Sequence, residues 1–596
     1  MLILIFELEI TIDMVTNMIK FMIRGGVIMT KSEVIKILNE IGLLLELKGE
    51  NFFKSRAYYD AANKLEVIQE DIQTLVSENR LESIKGFGKA LTSKITELVT
   101  TGELEYYTKL KETVPKGLVS MLRISGLGPK KIMTIYKSLG VNTIEELKEA
   151  CENNRLLDLP RFSKKTQDKI LEGIKNYNEY SEKFHYPIGE VLSFELLKYI
   201  RESGIVQRCE VAGSLRRKKE VLKDIDLLVS SDEPDKVMDL FTSHYYVKEI
   251  TGKGETKSSV VLQNGMNADI RVVSDSQFPY ALHHFTGSKE HNTALRHLAK
   301  KQGIKMNEYG LFKDDELIVC HNEKDIFNVF GMEFIPPELR ENYGELEAAE
   351  NKELPVLVTN EDVRGVFHTH TNYSDGNATI EELVIDCINR GYSYLGITDH
   401  SKTAIYAGGL TEEDIKRQHE EIDLLNEKYH DFKILKGIES DILPDGSLDY
   451  DERILQSFDF IIGSVHSAFK MEQKKMTDRV IKAISNPYMS ILGHPTGRLL
   501  LSREGYKIDI EQIIEACIEY GIVIEINANP YRLDLDWRHM KNAKEKGCKF
   551  VISPDAHSIK EFDYMRYGIN VARKGWLEKS DIINTLNKDE IVKYFL

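Results

Sequence analysis

From residue 364 onward the chain alternates short apolar runs with longer amphipathic ones, and six of its sixteen histidines stand just past the apolar runs. The runs read GVFHTH, YLGITDH, KILKGIE, FIIGSVH, SILGHP and FVISPDAH. They carry His368, His370, His400, Glu439, His466, His494, Asp555 and His557, and Asp375 follows the first run in TNYSDG. Between them, TIEELVIDCINRG, EDIKRQHEEIDLLNEKY, DRVIKAISN and IEQIIEACIEYG have helical spacing of apolar residues. Strand-like runs alternating with helical ones imply parallel strands joined by crossover helices. The carboxyl ends of such strands share one face in a (βα) barrel. Nine nitrogen and oxygen donors at those ends build a multinuclear metal site, and such a site most often cleaves phosphate esters. A single histidine at a strand end is usually structural; nine donors in step with the strands are not explained that way.

A chain of 596 residues holds several domains, each with its own core. The net charge of −16 argues weakly against a nucleic-acid partner, but local basic faces matter more than the average. The six cysteines, Cys151, Cys209, Cys320, Cys387, Cys517 and Cys548, are scattered and make no C-x-x-C pair. That fits free thiols in a reducing cytoplasm, not a disulfide frame or a thiolate zinc site. Residues 1–28 are apolar but broken by Glu7, Glu9, Asp13, Lys20 and Arg24, too often for a membrane span. Arg24-Gly25-Gly26 can be encoded AGA-GGA-GGT, a ribosome-binding sequence shortly before Met29. Translation is therefore expected to start at Met29, with residues 1–28 a mis-assigned extension; mass spectrometry of the native N-terminus checks this.

Residues 29–180 read as mostly helical, 181–335 as mixed helix and strand, 336–363 as a charged interdomain linker opening on two prolines, and 364–596 as the alternating region. A short repeat marks the helical part. Ile84-Lys85-Gly86-Phe87-Gly88-Lys89 precedes a helical run, as does Ile124-Ser125-Gly126-Leu127-Gly128-Pro129. A third copy, Leu159-Pro160-Arg161-Phe162-Ser163, has lost both glycines and is expected to be structural. G-x-G between helices gives a tight turn whose amides face outward at a helix N-terminus, where a phosphate can approach closely. One copy would be a plain turn. Two copies flanked by Lys89 and Lys94, and by Lys130 and Lys131, point to sequence-independent grip on a DNA backbone.

The middle region reads AGSLRRKKEVLKDIDLLV over residues 212–229. Asp224 and Asp226 flank Ile225 in a strand-like run, so both side chains share a face. Asp269, in NADIRVV, falls on a candidate neighbouring strand. Three converging carboxylates suit two divalent ions in an in-line displacement. Gly213 and Ser214 offer donors, and Arg216 and Arg217 cations, to a triphosphate. D-x-D alone is common on surface strands; with G-S and paired arginines upstream it is not a surface accident.

GSLRR, DID and DIR, followed by HFTGSKEHN, resemble the nucleotidyltransferase core of family X DNA polymerases, the family of DNA polymerase beta. The G-x-G repeats resemble that family's helix-hairpin-helix turns, and the strand-end donors resemble the polymerase-and-histidinol-phosphatase (PHP) domain. The resemblance runs from Met29 to the end. It implies a multidomain fold: a helical helix-hairpin-helix region, an α+β nucleotidyltransferase palm with thumb, and a C-terminal distorted (βα)7 barrel. It implies that Asp224 and Asp226 ligate both metals, two Mg²⁺ or Mn²⁺, and Asp269 the one that activates the primer 3′-hydroxyl. It implies that Gly213, Ser214 and Arg217 hold the nucleotide, with Phe285 and Gly287 on the sugar-facing turn, where His284 replaces the vertebrate tyrosine. Asn292 is implied at the minor groove and Arg296 at the template. Gly86, Gly88, Lys89, Gly126, Gly128, Lys130 and Lys131 are implied DNA contacts, with a monovalent cation at the turns. Lys94 matches a Schiff-base lyase lysine, supported by Lys54 and Tyr58, although Ala90 replaces another lysine of that site. The nine strand-end residues are the implied PHP ligands for up to three Mn²⁺, Zn²⁺ or Fe ions. Arg498 and Arg532 are candidate phosphate contacts.

The implied activity is short-gap DNA synthesis in repair, with 3′–5′ exonuclease or 3′-end processing from the PHP region. Partners are gapped or primer-template DNA and deoxynucleoside triphosphates, with no membrane, and a monomer is expected. Two rivals remain: a PHP phosphoesterase whose inactive polymerase core only docks DNA, and a non-enzymatic DNA-end scaffold.

Overall fold

The structure, a computed structural model, describes residues 29–595 apart from Thr30, Gln69, Lys85, Arg123 and Ser125. The expected extension, residues 1–28, lies outside the described residues. A division after Ser181 separates two compact units.

The first unit is helical and closes over its own apolar core, with Val34, Leu38, Ile41, Ile95, Ile132, Ile135 and Ile170 fully buried. All three repeat copies form the same turn. Phe87 donates its amide to Ile84 O, Leu127 to Ile124 O and Phe162 to Leu159 O, at 3.1–3.2 Å. The residue before each of these aromatic or leucine anchors is left-handed: Gly86 at φ +104°, Gly126 at +92° and Arg161 at +69°. Glycine reaches such dihedrals freely; Arg161 does so at a cost of about 1 kcal/mol or more. The third copy thus keeps the turn after losing its glycines. Ser163 then caps the helix Lys164–Tyr180 by accepting from the Thr166 amide.

The second unit starts with a ladder of β1 (Phe184–His185) and β3 (Val221–Leu222). Its five-stranded sheet has the order β2 (Arg208–Val211), β4 (Asp224–Ser230), β7 (Asn267–Val273), β6 (Lys257–Leu262), β5 (Val247–Lys253). Only the central pair, β4 and β7, is parallel, and its register sets Asp226 opposite Asp269. A small antiparallel sheet of β8 (Ile304–Asn307), β9 (Gly310–Lys313) and β10 (Glu316–Ile318) follows two helices, Phe278–Thr286 and Lys289–Lys301.

Seven parallel strands then run in sequence order: β11 (Gly365–Thr369), β12 (Tyr394–Ile397), β13 (Lys433–Asp441), β14 (Phe460–Ser464), β15 (Ile491–Leu492), β16 (Val523–Asn527) and β17 (Phe550–Ser553). Backbone bonds from His370 to Ala556 and from Ala556 to His368 nearly close the first strand onto the last. These strands are covered on both faces, which is why they read as continuous apolar runs instead of alternating ones. Phe367, Tyr394, Phe460 and Val551 fill the barrel with Phe595 of the helix Lys588–Phe595 against them.

Residues 336–363 are not a free spacer. Arg340 and Glu345 are fully buried. Arg340 pairs with Glu323 at 2.5 Å and Glu345 with His291 at 2.6 Å. The charges that make this stretch look like a linker are partners for buried groups of the preceding helices. Sheet and barrel also share one apolar cluster, in which Tyr186, Leu215 and Leu222 join the barrel's helices.

Candidate active sites

The barrel's carboxyl-end face gathers all nine expected donors. Their contacting atoms fall into three overlapping groups: His370, Asp375, His400 and His557; His368, His370 and Asp555; His400, Glu439 and His466. His494 joins through Nε2, 3.1 Å from Glu439 and 3.3 Å from His466 Nε2. Glu439 lies at the centre, 2.9 Å from His400, 3.2 Å from His368 and 3.3 Å from His466. Three of these residues, His368, His494 and Asp555, have positive φ where non-glycine residues are rare. Such strain clusters at functional positions; here it turns donors inward as each strand ends.

The donor set fits metal ions. His368 Nε2, both ring nitrogens of His370, His400 Nδ1 and Glu439 Oε2 are buried with no hydrogen-bond partner. Buried polar atoms without partners are costly and call for an explanation, and here they face one another. Burial opposes charge on His466, but Glu439 and Asp441 outweigh it and push its pKa up to about 10. His557 is likewise pushed to about 9 against burial, by Asp375 and Asp555. Burial brings His370 down to about 4, with the neighbouring His400 and His557 adding to the effect against Asp555. Without metal, protons neutralise the cluster's carboxylates; metal binding would release them.

A second set of residues escaped the sequence reading. Glu525 on β16, fully buried, meets His368 Nδ1 at 2.5 Å and accepts the His494 amide at 2.6 Å. Asp441 meets His466 Nδ1 at 2.6 Å. With these carboxylates accepting the Nδ1 protons, both Nε2 atoms are free to face the cluster. Asp399, fully buried, accepts from Thr371, Ser374 and Gln418 and so orders the turn that carries Asp375. Glu525 sits in VIEIN, an apolar strand; a lone buried acid there was the available signal. Asp441 follows Glu439 by two residues, hence on the same strand face. Of the two candidate arginines, Arg532 lies 3.4 Å from Asp555. Arg498 instead pairs with Asp536 at 2.6 Å and faces Glu220 across the junction with the sheet.

The sheet carries the second centre. Asp224 and Asp226 project from β4 beside Asp269 of β7, and Lys257 Nζ lies 2.6 Å from Asp269. Burial, then repulsion from Asp224 and Asp269, raises Asp226 to about 6. Burial and Asp269 also raise Asp224. Gly213, at φ +58°, is where the backbone meets this centre: a Cβ there would lie 2.0 Å from Asp226 Oδ2. Only glycine brings the Gly213–Ser214 peptide that close. Ser214 is half-buried next to it.

Two expected nucleotide contacts have other partners. Arg217 is buried, donates to Thr286 O at 2.7 Å and pairs with Glu341 at 3.0 Å. Glu341 is also held by Lys574, fully buried in the barrel helix Met565–Lys574, which bonds Arg217 O as well. Asn292 turns its amide to His284 O and Gly287 O, tying the turn instead of reaching outward. Phe285 is half-buried with Arg271 4.4 Å from its ring, and Arg296 is exposed.

In the helical unit, Lys89 is exposed, Lys131 donates to Gly126 O at 3.0 Å, and Lys130 lies 5.6 Å from the Phe52 ring. Gly88 and Gly128 cap the helices Lys89–Thr101 and Pro129–Leu139. Lys94 Nζ lies over Tyr106 at 4.4 Å and Tyr58 at 5.9 Å, and Lys54 pairs with Glu50 at 3.0 Å.

Known proteins match in the same places. A family model described as helix-hairpin-helix domain covers residues 29–104, a SAM-like helix-hairpin-helix tandem 119–176, a DNA polymerase beta thumb 281–341 and a PHP domain 367–529. The DNA polymerase/3′-5′ exonuclease PolX of Bacillus subtilis (strain 168) is 39% identical over 569 residues, 94% of this chain and 99% of that protein. A protein of Thermoanaerobacter sp. (strain X514) named "Probable phosphatase" is 31% identical over 230 residues, 37% of this chain and 89% of its own. One of the same description from Caldanaerobacter subterraneus is 33% identical over 218 residues, 34% of this chain and 78% of its own. The phosphatase-like proteins share only one region, whereas the Bacillus protein shares nearly the whole chain, carboxylate centre and barrel together: the chain belongs to the family X DNA polymerases that carry a C-terminal PHP domain.

Proposed function

We propose that this protein fills short gaps in DNA during repair and trims DNA 3′ ends with its barrel centre. The observation that carries this is the presence, in one unit, of two donor-rich centres of different make: three carboxylates on adjacent sheet strands, and nine mixed imidazole and carboxylate donors in a barrel. Asp224, Asp226 and Asp269 would hold two Mg²⁺ or Mn²⁺, and the nine barrel residues up to three Mn²⁺, Zn²⁺ or Fe. Bound ions would supply Lewis acidity at phosphorus and an activated hydroxyl or water. The residues do the rest. Lys257 balances one of the three sheet carboxylates until a cation arrives. Gly213 and Ser214 present their donors next to Asp226, where a triphosphate would lie. Phe285 and Gly287 would bound the sugar, and Arg296 the template strand. Arg217 and Asn292 would act on the nucleotide only by leaving Glu341 and the His284–Gly287 turn. In the barrel, Glu525 and Asp441 hold His368 and His466 in the tautomer that faces a cation, and Arg532 would take a substrate phosphate.

The substrates are gapped or primer-template DNA and deoxynucleoside triphosphates. The helical unit would grip the DNA backbone through Gly86, Gly88, Lys89, Gly126, Gly128, Lys130 and Lys131, with a monovalent cation at the turns. The protein would work as a cytoplasmic monomer; all six cysteines are free, and among the described residues no helix is long and apolar enough to cross a membrane. The deciding experiment is gap filling and 3′ digestion with Asp226→Ala and His368→Ala side by side, each losing one activity and keeping the other. Full nuclease activity in His368→Ala overturns the barrel assignment. Unimpaired synthesis in Asp226→Ala overturns the sheet assignment. The Lys94 seat between two tyrosines supports a lyase site; borohydride trapping on abasic DNA, lost in Lys94→Ala, tests it.

A further inference from the structure

Directly after the ligand His400, the chain makes a closed loop. The Leu410 amide returns to His400 O at 2.9 Å, and Ala404, Ala407 and Gly409 bond back to Ser401 O, Ala404 O and Ala404 O at 2.9–3.1 Å. Ala404 and Ala407 are buried, and the turn between them, Ile405–Ala407, pushes two large apolar side chains outward. Ile405 is 84% and Tyr406 75% exposed, among the most exposed large apolar residues of the described chain. The Tyr406 ring lies 6.3 Å from the His400 ring at 55°. Arg532, beside Asp555, lies across the same centre.

Single exposed apolar residues need no explanation. A pair fixed on a rigid turn at the rim of a metal cluster does. An aromatic face next to a cationic side chain is how single-stranded nucleic acid is held without reading its sequence.

We propose that Ile405 and Tyr406 form a stacking platform that holds the base of the 3′-terminal nucleotide while its phosphodiester lies at the barrel centre. The platform rests on the exonuclease reading and sharpens it. It favours an unpaired 3′ end, whose base can swing onto Tyr406 without the cost of breaking a pair. It is sequence-tolerant, since every base has a stacking face. Tyr406 is a positioning residue, so its removal acts on binding and leaves the hydrolytic machinery intact.

The test uses the full-length Mn²⁺-loaded protein. On a single-stranded oligonucleotide, Tyr406→Ala should raise KM roughly 5- to 150-fold, the range of one base–aromatic stack, with little change in kcat. Tyr406→Phe should keep wild-type KM, and Ile405→Ala should show a smaller rise. On the same oligonucleotide ending in an abasic nucleotide, wild type and Tyr406→Ala should be equal. Hydrolysis of methyl p-nitrophenyl phosphate, which has no base, should be unchanged in Tyr406→Ala, showing that the barrel centre is intact. An unchanged KM in Tyr406→Ala on ordinary ends overturns the platform, as does an equal loss on abasic ends. A wild-type protein that releases nothing from DNA 3′ ends overturns the exonuclease reading, and the platform with it.

Discussion

The sheet centre and the barrel centre both gather negative charge for phosphate chemistry, but they do so under opposite constraints. Asp224, Asp226 and Asp269 come from two neighbouring strands, and the first is exposed. With oxygen donors only, and Lys257 beside Asp269, the proposed ions of this centre would be hard ones completed by a nucleotide's phosphates. The barrel donors come from six of the seven strand ends, are mostly buried, and mix imidazole with carboxylate. Imidazole favours transition metals, and carboxylates such as Glu525 and Asp441 prepare it in advance. The sheet centre is open and offers few donors, as ion exchange with each substrate would require; the barrel centre is closed and rich in donors, as ion retention would require.

The strongest way to break this comparison is to remove one ligand from each centre. Metal assistance supplies several kcal/mol, so His368→Ala should lower nuclease activity about a thousandfold or more and leave gap filling near wild type. After gel filtration in chelator-free buffer, elemental analysis should find ions retained in the barrel of wild type and of Asp226→Ala, and fewer in Glu439→Gln. Equal metal content in all three would put both centres in the same class.

A smaller effect tests the prepared state of the barrel. Glu525→Gln keeps the shape but weakens the hold on His368, and outer-shell changes of this kind typically lower metal affinity or activity about 10- to 100-fold. Nuclease activity should fall within that range and recover partly at high Mn²⁺, while synthesis is unaffected.

The smallest effect concerns the open centre without metal. Asp226 is raised from its ordinary value to about 6 by burial and by its two neighbours. The fold therefore favours its protonated form. That contribution is fully present below about pH 4 and is lost as pH rises through about 6. At pH 7 in EDTA, Asp226→Asn should stabilise the unit by on the order of 1–3 kcal/mol, read as a higher Tm. The gain should vanish near pH 4. A gain independent of pH would mean that charge repulsion is not the cause.

Much of this was legible in the chain. Ligand-bearing residues recur at strand ends because a βα unit repeats its own local pattern, so His368 through His557 could be read in order. The Gly86 and Gly126 turns were legible because glycine marks a left-handed dihedral. The third copy was legible as a degenerate repeat, but not that it would keep the left-handed dihedral, because Arg161 takes it without being glycine. Glu525 gave no spacing signal; it matters because β16 sits next to β15 and β17 and aims it at His368. The GSLRR arginines were visible, but not that Arg217 would meet Thr286 and Glu341, far along the chain. The stretch from 336 to 363 looked like a spacer because composition does not tell a solvated charge from a buried, paired one.

The sequence by itself determined which donors this protein owns, the alternation that places them at strand ends, and the glycines that set left-handed turns. These depend on neighbours within a few residues, and covalent spacing sets them. Only the tertiary structure decided how eight of the nine donors divide into three groups with His494 beside them, which carboxylates orient the histidines, that Lys574 of the barrel holds the loop beside the sheet centre, and that Ile405 and Tyr406 stand at the rim. Those facts join residues tens to hundreds of positions apart, and such residues meet only when sheet register and barrel closure bring them together.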